Sequence, residues 1–255
     1  MIVPGLVSVT FRRFSCEQIV RLAGEANLRS IEWGGDIHVP PGNREAAATA
    51  RRLCQSAVIV TSAYGSYYRA GSNADFQPIL DSALELETNL IRVWAGNVAS
   101  QDATPDQRRA VIEDLTRICD AAAKQRIGIS LEFHGNTLAD NPSATLALLS
   151  AVNRPNLSTY WQPPNGVAQS EAAAGLRALL PHVQNLHVFH WWPKAEDRLP
   201  LEAGVDRWRE YLDIAAGDAA KIRHASVEFV HGDDPEQLKR DAEMLIALLQ
   251  ESAGQ

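Results

Sequence analysis

Eight short β-rich apolar runs, at 6–10, 30–33, 57–62, 90–94, 128–133, 157–162, 185–190 and 225–230, alternate along this chain with longer segments whose apolar residues recur at helical spacing. This alternation constrains the fold more than any other feature, because strand followed by helix is the pattern of βαβ units and a parallel sheet. The helical segments lie at 16–26, 44–55, 75–88, 105–125, 144–152, 171–180, 206–216 and 235–251. Some carry clear starts. Ser15 and Gln18 have capping-box spacing, and Asp234 precedes Pro235 as an N-cap before a proline whose missing N–H costs nothing in the first turn. After the second strand, Pro40, Pro41 and Gly42 impose a long loop before the helix at 44–55. No Gly/Ser linker, charge block or composition shift divides the chain. Eight strand–helix pairs in 255 residues therefore predict an α/β fold of one kind, a (β/α)8 TIM barrel filling residues 1–255 as a single domain.

Composition narrows the function classes. Twenty-four basic residues stand against 31 acidic ones, for a net charge of −7, and the Lys and Arg are scattered among the acids. A nucleic-acid-wrapping protein presents a concentrated basic face, so nucleic acid is not an expected partner. Cys16, Cys54 and Cys119 are odd in number and form no C-x-x-C pair, which disfavours a disulfide framework and a structural zinc site and fits a reducing, cytoplasmic setting. The N-terminal MIVPGLVSVTFRRF has its apolar stretch before its arginines, the reverse of a signal peptide. No run approaches the ~20 apolar residues of a membrane span, so no membrane association is expected.

A TIM barrel carries its chemistry at the C-terminal ends of its strands. Strand two ends in Ile31-Glu32-Trp33, strand five in Leu131-Glu132-Phe133-His134, strand seven in Leu186-His187-Val188-Phe189-His190 and strand eight in Val227-Glu228-Phe229. An acid flanked by apolar residues in a buried strand must be neutralised by protons, by arginine or by a metal. Two glutamates, a histidine and a side-chain oxygen converging on a barrel mouth suit a divalent cation with mixed N/O ligands. The same two carboxylates, Glu132 and Glu228, could flank a substrate carbon and pass a proton across it. Trp33, Trp94, Trp161, Trp191 and Trp192 fall at or just beyond strand ends, which reads either as a carbohydrate-sized pocket or as a plug of the barrel top. His134 and His190 are candidate substrate contacts or acid/base groups, and His38 is a weaker one. Tyr64, Tyr67 and Tyr68 sit in the loop expected after strand three, whereas His182, His224 and His231 read as surface or helix-end residues.

These pieces together resemble the xylose isomerase-like TIM-barrel superfamily, which contains ketose 3-epimerases, hydroxypyruvate isomerase, inosose dehydratase and endonuclease IV. The matching elements are Ile31-Glu32, Leu131-Glu132-Phe133-His134, Asn185-Leu186-His187-Val188, Val227-Glu228-Phe229 and the segment RLPLEAGVDRW at 198–208. The resemblance implies a divalent metal (Mn, Mg or Co) held by residues of strands five to eight, here Glu132, Gln162, His187 and Glu228. Strand six departs from the family, which has Asp where this chain has Gln162, so the ligand set drops from three carboxylates to two. The resemblance further implies that Glu132 and Glu228 move a proton next to a carbonyl and that Arg198 contacts substrate oxygen; Glu32, Trp33, Trp94, His134, His190 and Trp191, from their places at the strand ends, complete the expected substrate-binding set. The expected function is a metal-dependent isomerase or epimerase of a small sugar or keto-sugar, with a homo-oligomer compatible with so short a chain. Lyase or dehydratase chemistry on a similar substrate begins with the same proton abstraction and stays open. A non-catalytic sugar-binding barrel is a further alternative, motivated by Gln162. Endonuclease IV chemistry needs further ligands where this chain has Ser62, Ala63 and Gln162.

Overall fold

A computed structural model describes residues 1–218 and 221–253. Eight parallel strands close into a barrel: β1 (Ile2–Val7), β2 (Ser30–Gly34), β3 (Val60–Arg69), β4 (Leu90–Trp94), β5 (Gly128–Leu131), β6 (Leu157–Trp161), β7 (Val183–Val188) and β10 (Arg223–Val227). Two further short strands, β8 (His190–Trp191) and β9 (Arg198–Leu199), pair antiparallel as a hairpin beyond the end of β7. The helices α1 (Cys16–Glu25), α2 (Arg44–Ala57), α3 (Gln77–Glu85), α4 (Pro105–Ala123), α5 (Pro142–Val152), α6 (Gln169–Leu179), α7 (Val205–Ala216) and α8 (Pro235–Ala253) alternate with the barrel strands. The chain is thus the single-domain (β/α)8 barrel that the alternation predicts.

The caps act as read from the sequence. Ser15 Oγ accepts from Gln18 N at 3.3 Å while Gln18 Oε1 accepts from Ser15 N at 2.8 Å, and Asp234 Oδ1 accepts from Glu236 N at 3.0 Å. The strand boundaries differ most from expectation at the first and third strands. The first strand is Ile2–Val7, and Ser8–Phe11 turns as a 3-10 helix, so the run at 6–10 is only half strand. The third strand is Val60–Arg69, later and longer than 57–62, because Tyr64, Tyr67 and Tyr68 belong to it and not to a loop.

Outward-facing strand residues such as Leu6, Ile31, Ile91 and Leu186 pack against the helices in one continuous apolar core. The barrel interior is different in kind. A small apolar plug of Ala63, Leu90 and Tyr160 lies within it, beneath the polar groups Glu32, Arg92, Glu132 and His187, all buried. Among the described residues no helix is long and apolar enough to cross a membrane.

Candidate active site

Strand alternation aims every second side chain inward, so the middle acids of S-I-E-W, S-L-E-F and S-V-E-F enter the barrel while their apolar neighbours face the helices. The centre of the resulting cluster is Arg92, from β4. Its Nε donates to Glu32 Oε1 at 2.7 Å, and its Nη1 donates to Glu132 Oε2. Arg92 and Glu32 are each 1% exposed, so this is an ion pair stripped of water. Burial alone would raise the Glu32 carboxyl, but the Arg92 guanidinium and the nearby His187 ring overcome it and hold the group at about 2. Local backbone makes room for the pair. A Cβ on Gly65, the residue of β3 opposite Arg92 in register, would lie 2.6 Å from Arg92 Nη2 and 2.9 Å from Glu32 Oε1.

His187, from β7, joins this ion pair to a second group of donors. Its Nε2 lies 3.3 Å from Glu32 Oε2, a carboxylate that only accepts, so Nε2 carries the proton. Nδ1 faces two more oxygens, Gln162 Oε1 at 3.1 Å and Glu228 Oε2 at 3.4 Å. Two acceptor oxygens facing one ring nitrogen are satisfied either by a proton on that nitrogen or by a cation held among the three atoms. A buried imidazole whose far nitrogen donates to a carboxylate is also the usual outer support of a metal-ligating histidine. Among the described residues no three His, Cys, Asp or Glu side chains group as a metal site, because one of the three donors is an amide and Glu132 is engaged by Arg92. The set Gln162, His187 and Glu228 fits a divalent cation by its N/O chemistry, with less ligand charge than a three-carboxylate site.

Around this cluster the mouth is aromatic and cationic. Trp94 and His134 lie with ring centres 4.5 Å apart at a tilt of 31°, and the Arg69 guanidinium lies over the Trp94 ring at 3.9 Å. Tyr67 lies 5.3 Å from the Arg92 guanidinium, and Arg198 lies over Phe229 at 4.7 Å and Trp191 at 5.3 Å. Tyr67 and Phe229 both have left-handed backbone, with φ of 58° and 48°. Bulky side chains adopt that conformation only when the surrounding structure compels it, and such residues gather at functional sites.

The structure places several expected site residues elsewhere. Trp33 is 0% exposed, lying in the core between barrel and helices with its ring beside His38, because its neighbour Glu32 takes the inward position. Trp161 is likewise buried, packed on Trp208 and Tyr211. His190 begins the hairpin, and its ring lies so near Gly204 that a Cβ there would be 2.4 Å from Nδ1. Burial lowers its pKa, with the Arg207 charge adding to the effect. Trp33 and His190 therefore do not face the glutamates. His224 is a half-buried residue of β10, not a surface one. Glu32, Glu132, Gln162, His187 and Glu228 do come together, with Trp94, His134, Trp191 and Arg198 around them. Arg92 is the residue that sequence reasoning missed. Its signal was present, since Leu90-Ile91-Arg92-Val93-Trp94 buries a charge between apolar neighbours just as the glutamate strands do.

Comparison with known proteins bears on this geometry. The family model described as xylose isomerase-like TIM barrel matches residues 15–248. A 3-dehydroshikimate dehydratase of Bacillus anthracis is 29% identical over 200 residues, covering 72% of this chain and 70% of the relative. Among solved structures, the probable 3-DHS dehydratase AsbF of Bacillus anthracis superposes with a TM-score of 0.80 at 22% identity, covering 96% of this chain and 99% of that one. D-psicose 3-epimerase of Clostridium cellulolyticum H10 superposes with a TM-score of 0.73 at 12% identity, covering 98% of each chain. At these identities the two structures establish a shared fold.

Proposed function

The chain belongs to the xylose isomerase-like TIM-barrel family, and from that premise we propose that it is a lyase removing water from a small hydroxylated carbonyl compound. The observation that carries this reading is the unlike setting of the two mouth carboxylates. Glu132 is tied to a permanent cation, Arg92, whereas Glu228 faces His187. Inverting a carbon by a two-base mechanism calls on an acid and a base of matched kind on opposite faces. Carboxylates in contrasting environments suit contrasting tasks instead. The 29% identical dehydratase supports the same choice.

In this reading Glu228 takes the proton from the carbon next to the carbonyl, and the electron pair moves into that carbonyl as an enolate. Collapse of the enolate breaks the C–O bond at the β-carbon. His134, half-exposed and held against Trp94, gives its proton to the departing hydroxyl, so that water leaves and an unsaturated carbonyl compound remains. Exchange with solvent then returns a proton to His134 and removes one from Glu228. Arg92 keeps Glu132 and Glu32 in place, and Glu32 in turn orients the His187 ring. A divalent cation would be held by Gln162, His187 and Glu228, and when bound it would supply Lewis-acid polarisation of the carbonyl.

The test is incubation in deuterium oxide with manganese present, using 3-dehydroshikimate and a panel of ketoses as probes. Loss of one water with new ultraviolet absorbance, abolished in Glu228→Gln, is the expected result. Deuterium entering a ketose without unsaturation would instead establish the epimerase reading, which the presence of two mouth carboxylates favours. Neither change in any probe would sink both.

A further inference from the structure

A cavity of about 300 Å³ opens beside the proposed site, between the turn after β1 and the segment after β10. Its walls include Phe11, Phe14 and Phe229, and its polar lining is Arg12, Arg13, Arg198 and Asp233. The two phenylalanines of the β1 turn stack on each other at 5.2 Å, almost coplanar at 12°, giving the cavity a flat apolar side. Its charge is unbalanced. Arg12 donates to Asp36, and Arg198 pairs with Asp233 at 3.2 Å, whereas Arg13 has no ion-pair partner among the described residues. Three arginines against two aspartates leave one positive charge uncompensated, in a concavity with aromatic walls.

The cavity also abuts the chemistry. Phe229 directly follows Glu228, and its N–H donates to Thr10 Oγ1, another lining residue, at 3.1 Å. On the other side, Arg12 donates to the Tyr67 hydroxyl at 3.1 Å, and the Tyr67 ring stands 5.3 Å from the Arg92 guanidinium. The two aromatic residues with left-handed backbone, Tyr67 and Phe229, are thus the ones that lie between the buried glutamate cluster and the arginines.

We propose that this cavity is the anion-binding end of the substrate site, in which Arg13, flanked by Arg12 and Arg198, receives a carboxylate borne on a small planar ring while the reacting carbon lies toward Glu228. Arginine suits this role because its planar donor fork matches a carboxylate, and the phenylalanine faces match a flat ring. The assignment of the reacting end rests on the elimination reading above, but the anion preference does not.

The probes are benzoate and its neutral isostere benzamide, titrated by calorimetry and thermal shift into the wild-type protein, Arg13→Gln and Arg13→Lys. Benzoate is expected to bind at least about tenfold more tightly than benzamide, with Arg13→Gln removing the preference and Arg13→Lys keeping part of it. Arg13 is exposed, so its loss leaves the fold intact, and unchanged benzamide binding serves as the control. Equal affinity for the two probes, no saturable benzoate binding, or a preference that survives Arg13→Gln overturns the proposal. A wild-type protein that shows the benzoate preference but turns over none of the carbonyl probes would defeat the elimination reading and leave the anion subsite standing.

Discussion

Arg92 decides the character of the site at the scale of single residues. Two carboxylates lean on one buried guanidinium, so removing it strands both. Arg92→Leu is expected to lower stability by roughly 3–5 kcal/mol, read as a fall in the urea midpoint, because an uncompensated buried charge costs more than the pair contributes. Pairing it with Glu32→Gln should recover part of the loss. Equal destabilisation with and without that second change would show that packing, and not charge, dominates at this position. Gln162 decides a different property. Its amide oxygen stands 3.1 Å from His187 Nδ1 in a place where a carboxylate would add ligand charge. Gln162→Asp should therefore tighten manganese binding, by at least about tenfold in a calorimetric titration, since ligand charge count tunes the affinity of oxygen-rich sites. Unaltered affinity would remove Gln162 from the ligand set. This difference can be measured without turnover.

At the scale of elements, the barrel strands act as rulers whose register brings distant residues to one level. Glu32 pairs in register with Ala63 and Arg92 with Gly65, so β3 stands between the partners of the ion pair and must present almost nothing there. Gly65→Ala is expected to cost about 1–3 kcal/mol, through the Cβ contacts with Arg92 and Glu32, and should show as a lower urea midpoint with the fold retained by circular dichroism. A neutral effect would mean that the guanidinium shifts freely. The same ruler explains what was legible in the sequence. The motifs I-E-W, L-E-F and V-E-F announce inward acids because alternation is a local property of a strand. Alternation also turns Trp33 outward, once Glu32 is taken as inward, so its burial was legible in principle. The first strand was obscured because Pro4 and Gly5 read as breakers, while the β-rich V-S-V-T-F that follows bends into a 3-10 turn under tertiary constraint. The bend of β3 at Tyr67, and the position of His190 beneath Gly204, depend on contacts between distant segments. No local pattern encodes them.

At the scale of the whole molecule, the barrel encloses titratable groups, and its stability must follow pH accordingly. His224 enters the interior from β10, where burial lowers its pKa from 6.5 to about 4, opposed only in part by the Glu32 charge. Folding therefore favours the neutral ring. Above about pH 6.5 the unfolded chain holds no extra proton and the full stability is present; as pH falls toward 4 the unfolded state protonates first and gains free energy. Glu32 acts in a lower window. Its carboxyl is held at about 2 in the folded protein against an ordinary 4.5, so its contribution is intact above 4.5 and lost as pH falls toward 2. Acid denaturation should proceed in two stages, the upper led by His224 with His38 and His190 adding to it, and the lower from Glu32. His224→Gln removes the histidine whose pKa is lowered to about 4, so the variant's urea midpoint should fall less from pH 7 to pH 5 than that of the wild-type protein, the rest of the decline coming from His38 and His190, whose pKa values burial also lowers. The upper stage is worth on the order of 2–3 kcal/mol by linkage, large enough to resolve in a pH series of denaturation curves. If wild type and variant decline in parallel across that window, His224 is not the source, and the upper stage belongs to the other burial-lowered histidines, His38 and His190. A barrel stabilised by an internal charge network thus has an acid limit set from inside, while the surface excess that gives a net charge of −7 is screened by solvent and salt.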